Sequence, residues 1–150
     1  MKRINVAICA AVPALLLISG ACGSNSSRAE QKEAAPQKVQ EAAEGSVLVT
    51  NNLDIDFSKH LVTFIELGAD KCIPCKAMQP IMKEIAAEYN RKVQVVFYDV
   101  WKDPEPARKY GIQLIPTQVF IDKNGKEVFR HVGLFPKDEL VAFLKKQGVD

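Results

Sequence analysis

The chain has few cysteines, no excess of either charge and no second long apolar run, and each shortage removes a class of function. Of its four cysteines, Cys9 lies inside an N-terminal apolar run and Cys22 just beyond it, which leaves Cys72 and Cys75 in the body of the chain. A structural zinc site takes four ligands, and the two histidines, His60 and His131, lie far from that pair in sequence. No metal site is expected. Cys75 is followed by Lys76 rather than His, which excludes covalent haem attachment by motif. The 20 basic residues include Lys2 and Arg3; without those two, 18 face 18 acidic ones, so the remainder is near neutral. A nucleic-acid partner therefore has no electrostatic support. No nicotinamide or flavin motif is visible and there are no internal repeats, so any redox chemistry has to reside on side chains, with no separate cofactor.

The one long apolar run is Ile4 to Ile18, preceded by Lys2 and Arg3 and followed by Ser19-Gly20-Ala21-Cys22. A basic head, a core of this length and small residues before a cut site predict a secretory signal over residues 1–21 rather than a mature membrane span. Small residues directly before Cys22 resemble the cleavage box of bacterial lipoproteins, although Ser19 occupies the position where that box favours Leu. The resemblance implies that Cys22 becomes a lipidated N-terminus. The alternative is an ordinary signal cut nearby that leaves Cys22 free. Residues 22–45 are rich in Ser, Asn, Gln, Glu, Lys and Ala, with Val39 the only large apolar side chain. Such a segment buries too little surface to offset the entropy of ordering and reads as a flexible tether.

From residue 46 onward the pattern is that of a folded domain running to residue 150. A short strand or turn near Val47–Thr50 precedes a strand at Leu61–Leu67. Cys72-Ile73-Pro74-Cys75 follows and opens a helix with Met78, Ile81, Met82, Ile85, Ala86 and Tyr89 on one stripe. Pro80 inside that helix predicts a kink. Val93–Val100 is apolar on both alternating faces, as a strand covered on two sides would be. A short helix follows Asp103-Pro104 and ends at Gly111. Strands at Thr117–Asp122 and Glu127–Val132 flank the turn Lys123-Asn124-Gly125. A last helix after Pro136 places Leu140, Val141 and Leu144 together. The order β-α-β-α-β-β-α predicts an α/β fold with a mixed sheet and helices on both faces. Phe97, Tyr98 and Trp101 read as core and strand-end packing, and Asp54-Ile55-Asp56 as a solvated loop edge.

Two thiols two residues apart at a helix start can close a small disulfide and open it again. Free N–H groups and a partial positive charge at the helix N-terminus favour thiolate at Cys72. Pro74 suits the first turn, where its missing N–H costs nothing.

These motifs together resemble the thioredoxin family. The CxxC lies at a strand-to-helix junction with Lys76 after it and Pro80 further along; Lys109-Tyr110-Gly111-Ile112 leads into Ile115-Pro116-Thr117; and Val132-Gly133 leads into the final helix. The resemblance implies a thioredoxin fold, with Cys72 as nucleophile, Cys75 as the resolving thiol and a redox-active Cys72–Cys75 disulfide. It further implies a cis peptide bond at Pro116 beside the sulfurs, and a client-binding surface of Ile73, Pro74, Ile115, Pro116 and Thr117, with Ile115 backbone open to pairing with an extended substrate. Glu66 falls where the family keeps a buried Asp that exchanges protons with the inner cysteine. A carboxyl at the end of a buried strand should have a raised pKa suited to that role; the alternative is a Glu long enough to reach solvent.

The chain departs from the family pattern in three places. Lys71 stands where Trp commonly precedes the first cysteine, Ile73 replaces the Gly or Pro that follows it, and Phe97 occupies the place of a Lys near the buried acid. Ile73 brings no side-chain donor to the thiolate, which argues against a strong oxidant. The expected function is that of a monomeric, membrane-tethered thiol–disulfide oxidoreductase, facing the periplasm or outer cell surface and reducing disulfides of exported proteins. Its electrons would come from a membrane thiol carrier. The alternatives are an oxidase or isomerase of the same fold, or a non-catalytic Cu(I) carrier using the two thiolates.

Overall fold

The computed structural model describes residues 45–150. The expected signal sequence, Cys22 and the tether as far as residue 44 lie outside the described residues. The element order is β1 (Leu48–Val49), a 3-10 turn at Phe57–Lys59, β2 (Val62–Gly68), α1 (Ile73–Glu88), β3 (Val93–Asp99), α2 (Glu105–Lys109), β4 (Thr117–Asp122), β5 (Glu127–Val132) and α3 (Lys137–Lys146). The strands form one sheet in the order β1-β3-β2-β4-β5. β1, β3 and β2 run parallel, while β4 pairs antiparallel with the other side of β2 and β5 pairs antiparallel with β4.

The pleat of β2 divides the core. Val62 and Phe64 point to one face, where they meet Met78, Met82, Ile85 and Ala86 of α1 and Leu140 and Leu144 of α3. Ile65 and Leu67 point to the other, with Val96, Tyr98, Val119 and Ile121, closed off by Phe57 and by Tyr110 and Ile112 after α2. All seven residues of β2 are buried, as a strand covered on both faces must be. Phe120 centres the first cluster, stacked on Phe64 at 4.9 Å and edge-on to Phe143 at 4.8 Å between ring centroids. The predicted stripe of α1 is the buried one, with Ile81 and Tyr89 at its margin. Pro80 lies on the exposed side of that helix; lacking an N–H, it cannot donate to the carbonyl of the likewise exposed Lys76 four residues before it.

The β4–β5 connection follows from turn chemistry. Asp122 Oδ1 accepts from the backbone N–H groups of Asn124 and Lys126, both at 2.9 Å. Gly125 sits at φ +79°, a conformation only glycine adopts without strain.

Two packing expectations are corrected. Trp101 is 63% exposed rather than packed at the strand end. β3 stops at Asp99, whose buried carboxylate accepts from Trp101 N and Lys102 N and bends the chain outward before the indole can turn in. Ile55 is buried in the second cluster while Asp54 and Asp56 on either side are exposed, so the segment is a loop pinned by one apolar residue rather than a solvated edge.

Candidate active site

Cys72 and Cys75 are joined as a disulfide with their Cα atoms 5.2 Å apart. The chain leaves β2 at Gly68 and turns through Ala69–Lys71, held by Cys72 N donating to the Ala69 carbonyl at 3.1 Å. Cys72 then serves as the N-cap of α1, its Sγ accepting from Cys75 N at 3.2 Å. A sulfur at this position lies on the positive end of the helix with an amide aimed at it, the setting that stabilises a thiolate. Cys72 is 8% exposed and Cys75 1%, so the outer and inner ranks of the two sulfurs follow their places in the first turn. Gly68 makes room for the inner one: a Cβ there would lie 3.2 Å from Cys75 Sγ, Cys75 Cβ and the Phe97 ring. A side chain at 68 would press on the disulfide.

Glu66 lies two residues earlier on the same face of β2 and is wholly buried. The sequence-based alternative, a Glu that reaches solvent, does not hold. Burial pushes its carboxyl up to about 8, against a lowering from the Gln118 amide, which donates to Oε2 at 2.9 Å. Oε1 has no hydrogen-bond partner. Gln118 stands directly across from Glu66 in the β2–β4 register and also donates to the Gly133 carbonyl at 3.0 Å. Sequence reading missed this residue. Its only signal was a polar side chain on the inward phase of an apolar strand, and pairing it with Glu66 needs the register.

The Ile115–Pro116 peptide bond is cis. Ile115 packs against the cluster of Ala69, Cys72 and Cys75, which brings the distal loop onto the sulfurs. Of the residues expected to form the client surface, Ile73 is 81% exposed, Pro74 is exposed and Ile115 half-buried. Pro116 and Thr117 are buried. The Thr117 hydroxyl donates to the Leu114 carbonyl at 2.6 Å, so its side chain braces the loop from inside instead of facing a client. Gly133 N donates to the Pro116 carbonyl at 2.8 Å and holds the β5–α3 loop beside it. Leu114 at 66% and Leu134 at 49% exposure add apolar surface on these two loops that sequence reading did not single out.

A second polar anchor lies behind the first cysteine. Asp99 accepts from Asp70 N at 3.2 Å and pairs with Lys102 Nζ at 3.2 Å, and Lys102 also pairs with Asp70. Burial raises the Asp99 carboxyl, but Lys102 and three backbone N–H groups outweigh it and hold it below the usual carboxylate range. This ties the β2–α1 turn to the β3–α2 turn. Lys71, in the Trp position of the family pattern, is exposed. The His131 ring stacks on Phe135 at 4.3 Å and its Nε2 meets the Leu134 carbonyl. Among the described residues no group of three or more His, Cys, Asp or Glu side chains is arranged to hold a metal ion.

Comparison with known proteins agrees with this geometry. The thioredoxin family model matches residues 44–146. A thioredoxin of Staphylococcus aureus is 35% identical over 96 residues, covering 62% of this chain and 91% of that protein. Among solved structures, a mutant thioredoxin of Halobacterium salinarum aligns with a TM-score of 0.64 at 26% identity, over 73% of this chain and 96% of its own. The Malassezia sympodialis thioredoxin aligns with a TM-score of 0.60 at 29% identity, over 71% of this chain and 95% of its own. The match takes in the CxxC turn, the cis-proline loop and the whole sheet, and on that ground the chain belongs to the thioredoxin family, with the thiol–disulfide oxidoreduction that membership carries.

Proposed function

We propose that this chain is a membrane-tethered reductase of disulfides in exported proteins, held by a lipid on Cys22 and re-reduced by a membrane thiol carrier. The observation that carries the direction of electron flow is the setting of Cys72 Sγ. Among the described residues its hydrogen bond comes from one backbone amide, Cys75 N, and the exposed Ile73 side chain between the cysteines has no donor to add. A strong disulfide donor needs a heavily stabilised reduced form; one amide and a helix end favour thiolate without that excess. The export and anchoring part rests on the sequence: Lys2 and Arg3, the apolar run Ile4 to Ile18 and the small residues before Cys22.

In the proposed cycle the Cys72 thiolate attacks one sulfur of the client disulfide. A Cys72–client bond forms, the client S–S bond breaks, and the departing client thiolate takes a proton from solvent. Cys75 loses its proton to Glu66 and attacks Cys72. The Cys72–Cys75 bond forms, the mixed disulfide breaks and the second client sulfur leaves as a thiolate that is protonated by solvent. The client has gained two electrons and the protein pair has lost them, so a dithiol donor must restore Cys72 and Cys75. An extended client segment lies over Ile73, Pro74 and Ile115, the accessible part of the surface around the sulfurs. Pro116 has no N–H, and together with Thr117 it supports this surface from below.

Replacing Cys75 tests the cycle in the cell. Cys75→Ala should accumulate client proteins disulfide-linked through Cys72, and Cys22→Ser should release the protein from the membrane fraction. A Cys75→Ala protein that links to no exported protein, or one that leaves clients more reduced than the parent does, contradicts the reading.

A further inference from the structure

Gln118 is a wholly buried polar side chain whose presence the thiol chemistry alone does not require. It sits opposite Glu66 across the β2–β4 ladder. Its Nε2 donates to Glu66 Oε2 at 2.9 Å and to the Gly133 carbonyl at 3.0 Å, so both amide hydrogens are committed. The two carboxyl oxygens of Glu66 are thereby made unlike. Oε2 is held, whereas Oε1 is buried without a hydrogen-bond partner, as is Gln118 Oε1.

Side chains two apart on a strand share a face, so Glu66 extends on the side where Gly68 meets Cys75 Sγ. The step between those two residues is about 7 Å along the strand. Facing Glu66 are Phe97 from β3, Gln118 from β4 and, at the end of the same face, Cys75 from α1. Burial and the Gln118 bond are the two influences acting on its proton, with no charged side chain among them. Cys75 is the titratable side chain at the end of this face, and Oε1 is the carboxyl oxygen that Gln118 does not hold.

We propose that Gln118 is a positioning residue for the resolving half of the reaction: it fixes Glu66 through Oε2 and leaves Oε1 to take the Cys75 proton. This rests on the reading of Glu66 as proton acceptor given above. When Cys75 attacks Cys72, its proton passes to Glu66 Oε1, the new Cys72–Cys75 bond forms and the client leaves as thiolate. Glu66 then releases the proton to solvent and regains its charge. Through Gly133, whose N–H is anchored on the Pro116 carbonyl, the same amide joins the acceptor to the backbone beside the client surface. One side chain thereby supports both the proton acceptor and the loop that receives the client.

The test is rapid mixing of the reduced full chain, carrying Cys9→Ser and Cys22→Ser so that Cys72 and Cys75 are its only thiols, with excess dithiobis(nitrobenzoate), whose cleavage then releases a coloured thiolate twice. The first release reports attack by Cys72 and the second reports resolution by Cys75. The second release of the parent should show an inflection near pH 8, where burial places Glu66. Gln118→Met removes both donors at similar volume. It should move that inflection up by about one pH unit and slow the second release at pH 7 by about threefold, with the first release unchanged. An inflection that stays in place overturns the proposal. Glu66→Gln separates the two ideas: loss of the inflection in that variant keeps the Glu66 reading standing even if Gln118→Met changes nothing, whereas a profile unaltered by Glu66→Gln sinks the Glu66 reading itself. Should Gln118→Met fail to fold, Gln118→Asn withdraws the amide by one methylene and carries the same expectation, with the same result against it.

Discussion

Glu66 makes this protein less stable as pH rises, and the size of the effect follows from its burial. Its carboxyl titrates near 8 in the folded chain, raised by burial, against an ordinary 4.5. Between those values the folded state holds a proton that the unfolded state has lost. The unfolded state therefore binds fewer protons, and stability falls with increasing pH. Below 4.5 both states are protonated and the group contributes nothing; above 8 both are ionised and the loss is complete. At pH 7 the gap is two and a half pH units, which at 1.36 kcal/mol per unit costs about 3 kcal/mol. That is a large share of the ~5–15 kcal/mol that holds a typical domain together. Glu66→Gln keeps the shape, removes the titration and lets an amide face Gln118. Urea unfolding of the oxidised parent and variant, with the disulfide intact so that neither cysteine titrates, measures the difference directly. Between pH 5 and pH 8 the variant should gain about 3 to 4 kcal/mol on the parent. A difference that stays flat over this range refutes the reasoning, because it means that the ionised carboxylate is solvated or paired in the fold.

Three further outcomes follow from the packing and the site. Phe120→Ala removes the ring between Phe64 and Phe143 in a site with no solvent exposure, and should lower stability in urea by about 3–5 kcal/mol. Gly68→Ala places a methyl 3.2 Å from Cys75 Sγ and the Phe97 ring; overpacking against a cross-linked neighbour should cost about 1–3 kcal/mol in urea and slow turnover of a small disulfide. Asp99→Ala leaves the N–H groups of Asp70 and Trp101 without their acceptor, while Lys102 N keeps the Asp99 backbone carbonyl; the loss should cost about 1–3 kcal/mol in the same assay.

Much of the fold was legible because it depends on local periodicity. The apolar stripe of α1, the Asn124-Gly125 turn and the inward run of β3 are each set by residues close together in sequence. β4 and β5 lie at the bounds that the alternation predicts. The CxxC and Ile115-Pro116-Thr117 were legible as motifs, although only the fold brings Ile115 against Cys72 and Cys75. What escaped depends on register and on chain direction at strand ends. Gln118 looks like an ordinary strand residue until β4 is laid against β2 with Glu66 opposite it. Trp101 reads as core by composition, yet Asp99 turns the backbone and leaves the indole outside. Thr117 carries the family motif, but its hydroxyl is spent on the Leu114 carbonyl, a contact that no spacing rule encodes. Ile55 shows the reverse, an apolar residue between two exposed acids that long-range packing draws inward.

The direction of electron flow is best tested by the reduction potential of the Cys72–Cys75 pair, measured on the full chain against a glutathione or dithiothreitol series. A reductase fed from the membrane should give a value near or below about −230 mV, in the range of thioredoxin and the glutaredoxins. A value above about −150 mV, approaching the strong oxidants, would mean that this dithiol donates disulfides and would contradict the account.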